Sequence, residues 1–193
     1  MKMMRSVGIS LLMILFSAPL VHGQDLSKYR DFSLGMSLPE LSSQVALRPL
    51  ETKLIQQHRA IVQEFTCWPG GSSEYSRQTG SVWQIFFSFY NGELFRILVT
   101  YDQDATHGLT AEDMIQVISV QYGTAGRPGG EISFPTNELY RTTEKVIARW
   151  EDSQYSINLV RARFLNSFAL VMSSKRLDAQ AEAAIAESVK LEK

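Results

Sequence analysis

The stretch SVWQIFFSFYNGELFRILVTY (residues 81–101) decides the fold of this chain. It consists of two runs rich in aromatic and β-branched residues on either side of Asn91-Gly92. Such runs favour strands, and Asn-Gly between them is the strongest short sequence signal for a two-residue hairpin turn. The sequence therefore predicts two long antiparallel strands and, with them, an antiparallel sheet.

Alternation along this hairpin predicts which residues share a face of the sheet. We expect the apolar set to face the helices: Trp83, Ile85, Phe87, Phe89, Phe95, Ile97, Val99 and Tyr101. The opposite set is mixed: Val82, Gln84, Phe86, Ser88, Tyr90, Arg96 and Thr100. Since antiparallel sheets often leave one face without a covering layer, the mixed set is predicted to form an open face.

Two related phrases, LGMSLPELSSQV (residues 34–45) and HGLTAEDMIQVI (residues 107–118), predict helix starts. In each, Ser or Thr is followed three residues later by an acid, as Ser37 by Glu40 and Thr110 by Asp113. That spacing is a capping box, in which the side chains and amides of the two residues bond reciprocally. We interpret both phrases as structural and expect helices over residues 38–47 and 111–122.

Strand-like runs follow both helices. AIVQEFTCW (residues 60–68) precedes the hairpin, and three runs follow the second helix: EKVIARW (residues 144–150), YSINLVRARF (residues 155–164) and FALVMSS (residues 168–174). Both halves thus read helix, strand, strand, strand, and Ser37 and Thr110 lie 73 positions apart (110 minus 37). The predicted fold is α+β, with two repeats over about 32–101 and 105–173 that form one six-stranded antiparallel sheet with helices on one face. LDAQAEAAIAESVKLEK predicts a C-terminal helix over about 178–192, capped by Asp178.

This organisation resembles the tandem fold of the β-lactamase inhibitor proteins, and its single unit resembles the small lipoprotein of the outer-membrane β-barrel assembly machinery. The resemblance is carried by Gly, an apolar residue and Ser or Thr at positions 35–37 and 108–110, each start being followed by three strands. It implies an architecture over about residues 32–173. It implies no activity, because the lipid-bearing Cys is missing and no residue set carries over an inhibitor or assembly site.

The first 23 residues predict a cleaved signal peptide. Lys2 and Arg5 precede the apolar run VGISLLMILF (residues 7–16), and the small-residue pattern Val21-His22-Gly23 ends it. The run is shorter than the roughly 20 residues of a membrane-spanning helix; an uncleaved anchor is the alternative. We expect cleavage after Gly23, export to the periplasm or the extracellular space, a single domain over residues 24–193, and no transmembrane anchor in the mature chain.

Charge and cysteine content restrict the function classes. Without Lys2 and Arg5 the 19 basic residues become 17, against 20 acidic ones, which gives the mature chain a formal net charge of −3. Nucleic-acid binders need a basic surface, so no nucleic-acid partner is expected. The single cysteine, Cys67, cannot form an internal disulfide, and we expect it to be a small buried residue on the helix side.

Several motifs are insufficient for a catalytic or metal site. The stretch DQDATHGLTAED (residues 102–113) has acids at calcium-loop positions, but His107 stands where that loop requires Gly. GTAGRPGGE (residues 123–131) lacks the Lys-Ser/Thr pair of a phosphate loop. The sequence therefore predicts no catalytic residue, no metal ligand and no cofactor. The tryptophans, which are Trp68, Trp83 and Trp150, are expected in the core.

The open sheet face is the predicted functional surface. Its aromatic and arginine content is typical of protein interfaces, and the expected binding residues are Gln84, Phe86, Ser88, Tyr90, Arg96, Arg149, Arg161 and Arg163. The leading hypothesis is a non-enzymatic exported protein that engages a protein or envelope component through this face. The alternatives are a small-ligand carrier or weak hydrolase with a pocket between sheet and helices, a structural envelope protein, and a solvated face that binds nothing.

Overall fold

The protein is described by a computed structural model, which covers residues 24–45, 51–56, 62–67, 81–135, 141–162 and 167–191. The predicted signal peptide, Trp68 and Arg163 lie outside these ranges. The fold is α+β, as predicted. In chain order its elements are β1 (Lys28–Tyr29), β2 (Phe32–Ser33), α1 (Leu38–Gln44), β3 (Glu51–Gln56), β4 (Val62–Cys67), β5 (Val82–Tyr90), β6 (Glu93–Tyr101), α2 (Ala111–Tyr122), β7 (Glu131–Pro135), β8 (Arg141–Glu151), β9 (Tyr155–Ala162), β10 (Ser167–Ser174) and α3 (Lys175–Leu191).

The main sheet is antiparallel throughout, with the strand order β3-β4-β5-β6-β10-β9-β8-β7. Seven of these strands form a continuous curled sheet, and β7 pairs with the first half of β8. Strands β1 and β2 form a separate small sheet. The hairpin is confirmed, since β5 and β6 pair across Asn91 and Gly92, which both have positive φ. The prediction of six strands missed β3 and β7.

The two helices of the predicted repeats, α1 and α2, pack on one face of the sheet, as predicted, whereas the C-terminal helix α3 packs on the opposite face. The main core contains residues of α1 and α2 together with one face of the hairpin, as shown by Leu41, Ile118 and Ile97. A separate cluster joins Leu177 and Ala181 of α3 to Val62 and Phe95. The helix α3 therefore covers part of the face that the sequence predicted to be open. We call this face, which carries α3, the second face.

Two β-bulges explain where the predicted alternation fails. Val82 pairs with Tyr101 and Gln84 pairs with Thr100, so Trp83 is an extra residue; it is 50% exposed while Val82 is buried in the main core. A second irregularity opposite Ser88 and Phe89 turns Phe95 towards α3. A bulge inserts one unpaired residue and shifts the alternation on one side of it. Trp83 and Phe95 are therefore not on the face that simple alternation predicted.

Both predicted helix starts are confirmed. The amide of Thr110 donates to the Asp113 carboxylate (2.8 Å), and the Asp113 amide donates to the Thr110 hydroxyl (3.2 Å). The Glu40 carboxylate accepts from the amide (2.6 Å) and hydroxyl (2.8 Å) of Ser37. The helix α1 ends earlier than predicted, because Val45 is already its C-cap.

We expect Thr110→Ala to lower the free energy of unfolding by about 1 kcal/mol, the ordinary cost of an N-cap. Thr110→Ser, which keeps the hydroxyl, is the matched control and should be nearly neutral. The side-chain hydrogen bond from Thr110 lowers the pKa of Asp113 below its ordinary value of 3.8. The contribution of this carboxylate to folding stability is therefore present at neutral pH and is lost as the pH falls through that lower pKa. Equal urea midpoints for Thr110→Ala and the wild type would contradict this account of the cap.

Cys67 is buried in the main core on the helix side, as predicted, with Ile85 opposite it on β5. Cys67→Ala should therefore cost about 1–2 kcal/mol of stability, the scale for removing a small buried group. In the native protein the thiol should react with a thiol reagent only as fast as the protein unfolds. Rapid labelling under native conditions would show that the end of β4 does not lie in the core.

Candidate ligand-binding site

A row of polar residues crosses the second face of the sheet from strand to strand. Residues that pair directly in antiparallel strands share a face, and the register connects six polar residues in this way: Glu64, Ser88, Arg96, Ser173, Ser156 and Glu151. Four of them, Glu64, Ser88, Arg96 and Ser173, are buried. Burial of polar side chains is unfavourable unless hydrogen bonds compensate it. The hydrogen-bond partners of these residues therefore account for their burial.

Arg96 attaches α3 to this row. Its guanidinium bonds to the Asp178 carboxylate and to Glu182 Oε1 (3.0 Å). Asp178 and Glu182 lie four positions apart and therefore on one side of the helix. The side chain of Arg96 is only 5% exposed, so the prediction that it points outward to solvent is wrong. The prediction of Asp178 as a helix cap was also wrong, because α3 begins at Lys175 immediately after β10.

The first residue of α3 makes a second polar attachment to the sheet. Lys175 Nζ donates to Glu151 Oε2 (2.6 Å) and to the Asp152 carbonyl (2.7 Å). The Lys175 amide donates to the Gln154 carbonyl (2.9 Å). Lys175 lowers the pKa of Glu151 through this hydrogen bond, with a smaller contribution from Arg149. The start of α3 is therefore fixed to the β8–β9 turn by backbone and side-chain contacts.

A cavity of about 200 Å³ lies between the start of α3 and the sheet. Its floor includes Asn158 and Ser173, which are buried, and the half-buried Ser156. Arg149 and Arg96 contribute to its walls. Glu151 and Lys175 also line the cavity, and their side chains are 45% and 38% exposed, which opens the site to solvent.

Asn158 and Arg149 hold one another in place at the cavity. They are register partners on β9 and β8, and Arg149 Nε donates to Asn158 Oδ1 (2.6 Å). Because Oδ1 faces Arg149, the Asn158 amide nitrogen is left to face Ser156, whose Oγ lies 3.5 Å away. The hydroxyls of Ser156 and Ser173 are 3.1 Å apart. The backbone of Arg149 pairs with Gly126, which fixes the base of the side chain.

The other predicted binding residues do not converge on this cavity. Phe86 packs against an apolar cluster that includes Leu98 and Phe134, and Tyr90 packs against the α3 cluster. Gln84 is half-buried and Ser88 is buried. Arg161 lies on the other face, beside Phe168 of the main core, with its guanidinium 4.9 Å from that ring. Arg161 was therefore grouped wrongly with Arg149, because the two differ in sheet face.

Of the binding residues predicted from the sequence, Arg96 and Arg149 line the cavity, whereas Asn158, Ser156 and Ser173 of its lining were not predicted. A signal for Asn158 was present, because Asn is disfavoured in strand interiors and stands here between Ile157 and Leu159. Within the described ranges there is no group of three or more His, Cys, Asp and Glu side chains placed to hold a metal ion. None of the helices that the structure describes is long and apolar enough to cross a bilayer.

Comparisons with protein-family models, with curated proteins and with solved structures find no match for this chain. The geometry of the cavity and of its polar lining therefore carries the functional argument.

Proposed function

We propose that this protein is an exported, non-enzymatic binding protein whose ligand occupies the cavity between α3 and the sheet. The observation that carries the proposal is the buried polar floor, where Asn158 and Ser173 face a space of about 200 Å³. Pockets for drug-sized ligands usually span about 300–1,000 Å³. The volume here suits a small molecule or the terminal group of a larger one.

This proposal favours a ligand carrier over an interaction through an open sheet face. The centre of the predicted face is covered by α3, and Arg96 is committed to Asp178 and Glu182. A protein or envelope component remains a compatible partner if it presents a small group to the cavity. The cavity on the α3 side supports the carrier alternative, whereas the main core fills the space beneath α1 and α2.

The lining of the cavity supports binding rather than hydrolysis. A nucleophilic serine needs an adjacent base, and the hydroxyls of Ser156 and Ser173 are paired with each other. The carboxylates of Glu151 and Asp178 accept hydrogen bonds from Lys175 and Arg96. Such groups orient a ligand, and none of these contacts activates a hydroxyl.

The order of the elements supports the proposed duplication of one structural unit. The order is a helix and four strands (α1, then β3 to β6), and the same order follows from α2 through β7 to β10. The last strands of the two sets, β6 and β10, are neighbours at the centre of the sheet. Each set would then contain four strands, one more than the sequence predicted.

A library screen tests the binding function. Small polar metabolites are screened for stabilisation of the purified protein by thermal unfolding, and each hit is repeated on Ser156→Leu, in which the larger side chain occupies the cavity. Gln116→Leu, on the exposed side of α2, is the matched control. We expect hits that stabilise the wild type and the control but not Ser156→Leu. Hits that stabilise all three proteins equally would place the ligand elsewhere.

Export is tested separately, through the mature N-terminus. The apolar run VGISLLMILF and the small residues that follow it support cleavage after Gly23. Mass spectrometry of the protein from a periplasmic or culture fraction should find Gln24 as the first residue. A product that keeps Met1 and sediments with membranes would contradict export by cleavage.

A further inference from the structure

We infer that the ligand of this cavity is a small oxyanion, a carboxylate or phosphate group held by the guanidinium of Arg149. The inference rests on the proposed binding function and adds the chemical class of the ligand. It follows from the charges of the cavity lining, from its hydrogen-bond donors and from the position of the cavity at the start of α3.

Arg149 is the one cation of the cavity lining without a salt bridge to a described carboxylate, although its charge helps to lower the pKa of Glu151 nearby. Five charged residues line the cavity: Arg96, Arg149, Lys175, Glu151 and Asp178. Arg96 bonds to Asp178 and also to Glu182 beside the cavity, and Lys175 bonds to Glu151. Among the described residues, no carboxylate lies within salt-bridge distance of Arg149, and its only side-chain hydrogen bond runs from Nε to Asn158. The two terminal nitrogens of its guanidinium are therefore available to a ligand at the cavity.

The hydrogen-bonding groups on the cavity floor complement an acceptor. The one acceptor of the Asn158 side chain is used by Arg149, which leaves the amide nitrogen as a donor with only a 3.5 Å contact to Ser156. Ser156 and Ser173 share a single contact between their hydroxyls, and one hydroxyl proton of the pair can still be donated. A carboxylate offers only acceptor oxygens and a phosphate offers at least two, and the planar guanidinium can bind two such oxygens at once.

The position of the cavity at the start of α3 adds a favourable field. The first turn of a helix carries partial positive charge, which stabilises an anion nearby. Lys175 and Asp178 of that turn line the cavity, and the Asp178 carboxylate offsets part of the field while it bonds to Arg96. The field is therefore a secondary contribution beside the guanidinium of Arg149.

Direct titration with four probes tests the inference. Acetate, succinate, inorganic phosphate and acetamide, the neutral counterpart of acetate, are titrated into the purified protein by calorimetry at constant chloride. We expect at least one anion to bind and acetamide not to bind. The comparison of acetate, succinate and phosphate tells whether the natural group is a carboxylate, a dicarboxylate or a phosphate.

Matched variants assign the binding to Arg149. Arg149→Gln should lower the affinity for the anion by about ten- to a hundredfold, the range for losing a charge-assisted hydrogen bond. Arg149→Lys should retain part of the affinity. Arg161→Gln removes the same charge from the other face and should change affinity by less than about twofold, because exposed charges are screened. If Arg149→Gln does not fold, Asn158→Asp serves instead, since it keeps an acceptor for Arg149 and places a negative charge on the floor; it should abolish binding.

The outcomes separate this inference from the function on which it rests. Neutral ligands could stabilise the wild type and Arg149→Gln but not Ser156→Leu. That result would overturn the inference of an oxyanion ligand and would leave the proposed binding function in place. Anion binding that is equal in the wild type, Arg149→Gln and Asn158→Asp would mean that the ion sits on the surface, and would also overturn the inference. Failure of every probe and of every library compound would overturn both.

Discussion

Removing the two carboxylates that face Arg96 should destabilise the protein by about 3–5 kcal/mol, the scale for leaving a buried charge without its partner. In Asp178→Ala/Glu182→Ala the guanidinium keeps its charge, because arginine does not lose its proton in proteins. Its side chain is only 5% exposed beneath α3, so water cannot replace the lost oxygens unless the helix moves. The measurement is the free energy of unfolding from urea denaturation.

Two further variants show that the effect comes from the uncompensated charge. Arg96→Leu added to the two alanines removes the buried charge and should restore much of the lost stability, because an apolar replacement of a whole buried ion pair is often nearly neutral. Arg176→Ala breaks the exposed contact to Glu93 (3.9 Å) and should change stability by less than about 1 kcal/mol. A loss below about 1 kcal/mol in the double variant would mean that Arg96 reaches solvent.

Trp150→Ala should cost about 3–5 kcal/mol, the range for truncating a large buried aromatic residue. Trp150 is 2% exposed in the main core. Its indole nitrogen donates to the Gly123 carbonyl (2.8 Å), which ties β8 to the end of α2. Trp150→Phe keeps a ring but leaves that carbonyl without this donor, and it should cost about 1–3 kcal/mol.

Trp83 provides the matched control for this measurement. It lies on another hairpin of the same sheet, β5–β6, but is 50% exposed at a bulge. Trp83→Ala should therefore change the free energy of unfolding by less than about 0.5 kcal/mol. Equal losses for the two tryptophans would contradict the bulge at Trp83 and return it to the core.

The sequence by itself determined the parts of this protein that depend on local interactions. Asn91-Gly92 specified the hairpin, because the positive φ values of its turn suit Asn and Gly. Thr110 and Asp113 specified the start of α2, since a capping box closes within four residues. The Ala-rich C-terminal segment specified a helix through its propensity. Each of these signals lies within a few residues of the structure that it predicts.

Only the tertiary structure decided that α3 covers part of the second face of the sheet. Helix propensity in the C-terminal segment does not indicate on which face of the sheet α3 packs. Strand alternation places Arg96 on the second face, but it does not tell whether water or a helix covers that face. The bulges at Trp83 and Phe95 depend on how β5 pairs with β6, and this pairing shifted two aromatic residues away from their predicted faces.

The candidate site depends on the tertiary structure even more strongly than the fold does. Arg149 on β8 and Asn158 on β9 meet through strand register, and Ser173 reaches them only because β10 pairs with β9. The start of α3 bounds the space above them on one side. Residue type indicated that Arg149 could bind a ligand, whereas strand pairing and helix placement determined that its guanidinium would face a cavity, because those contacts join residues far apart in the chain.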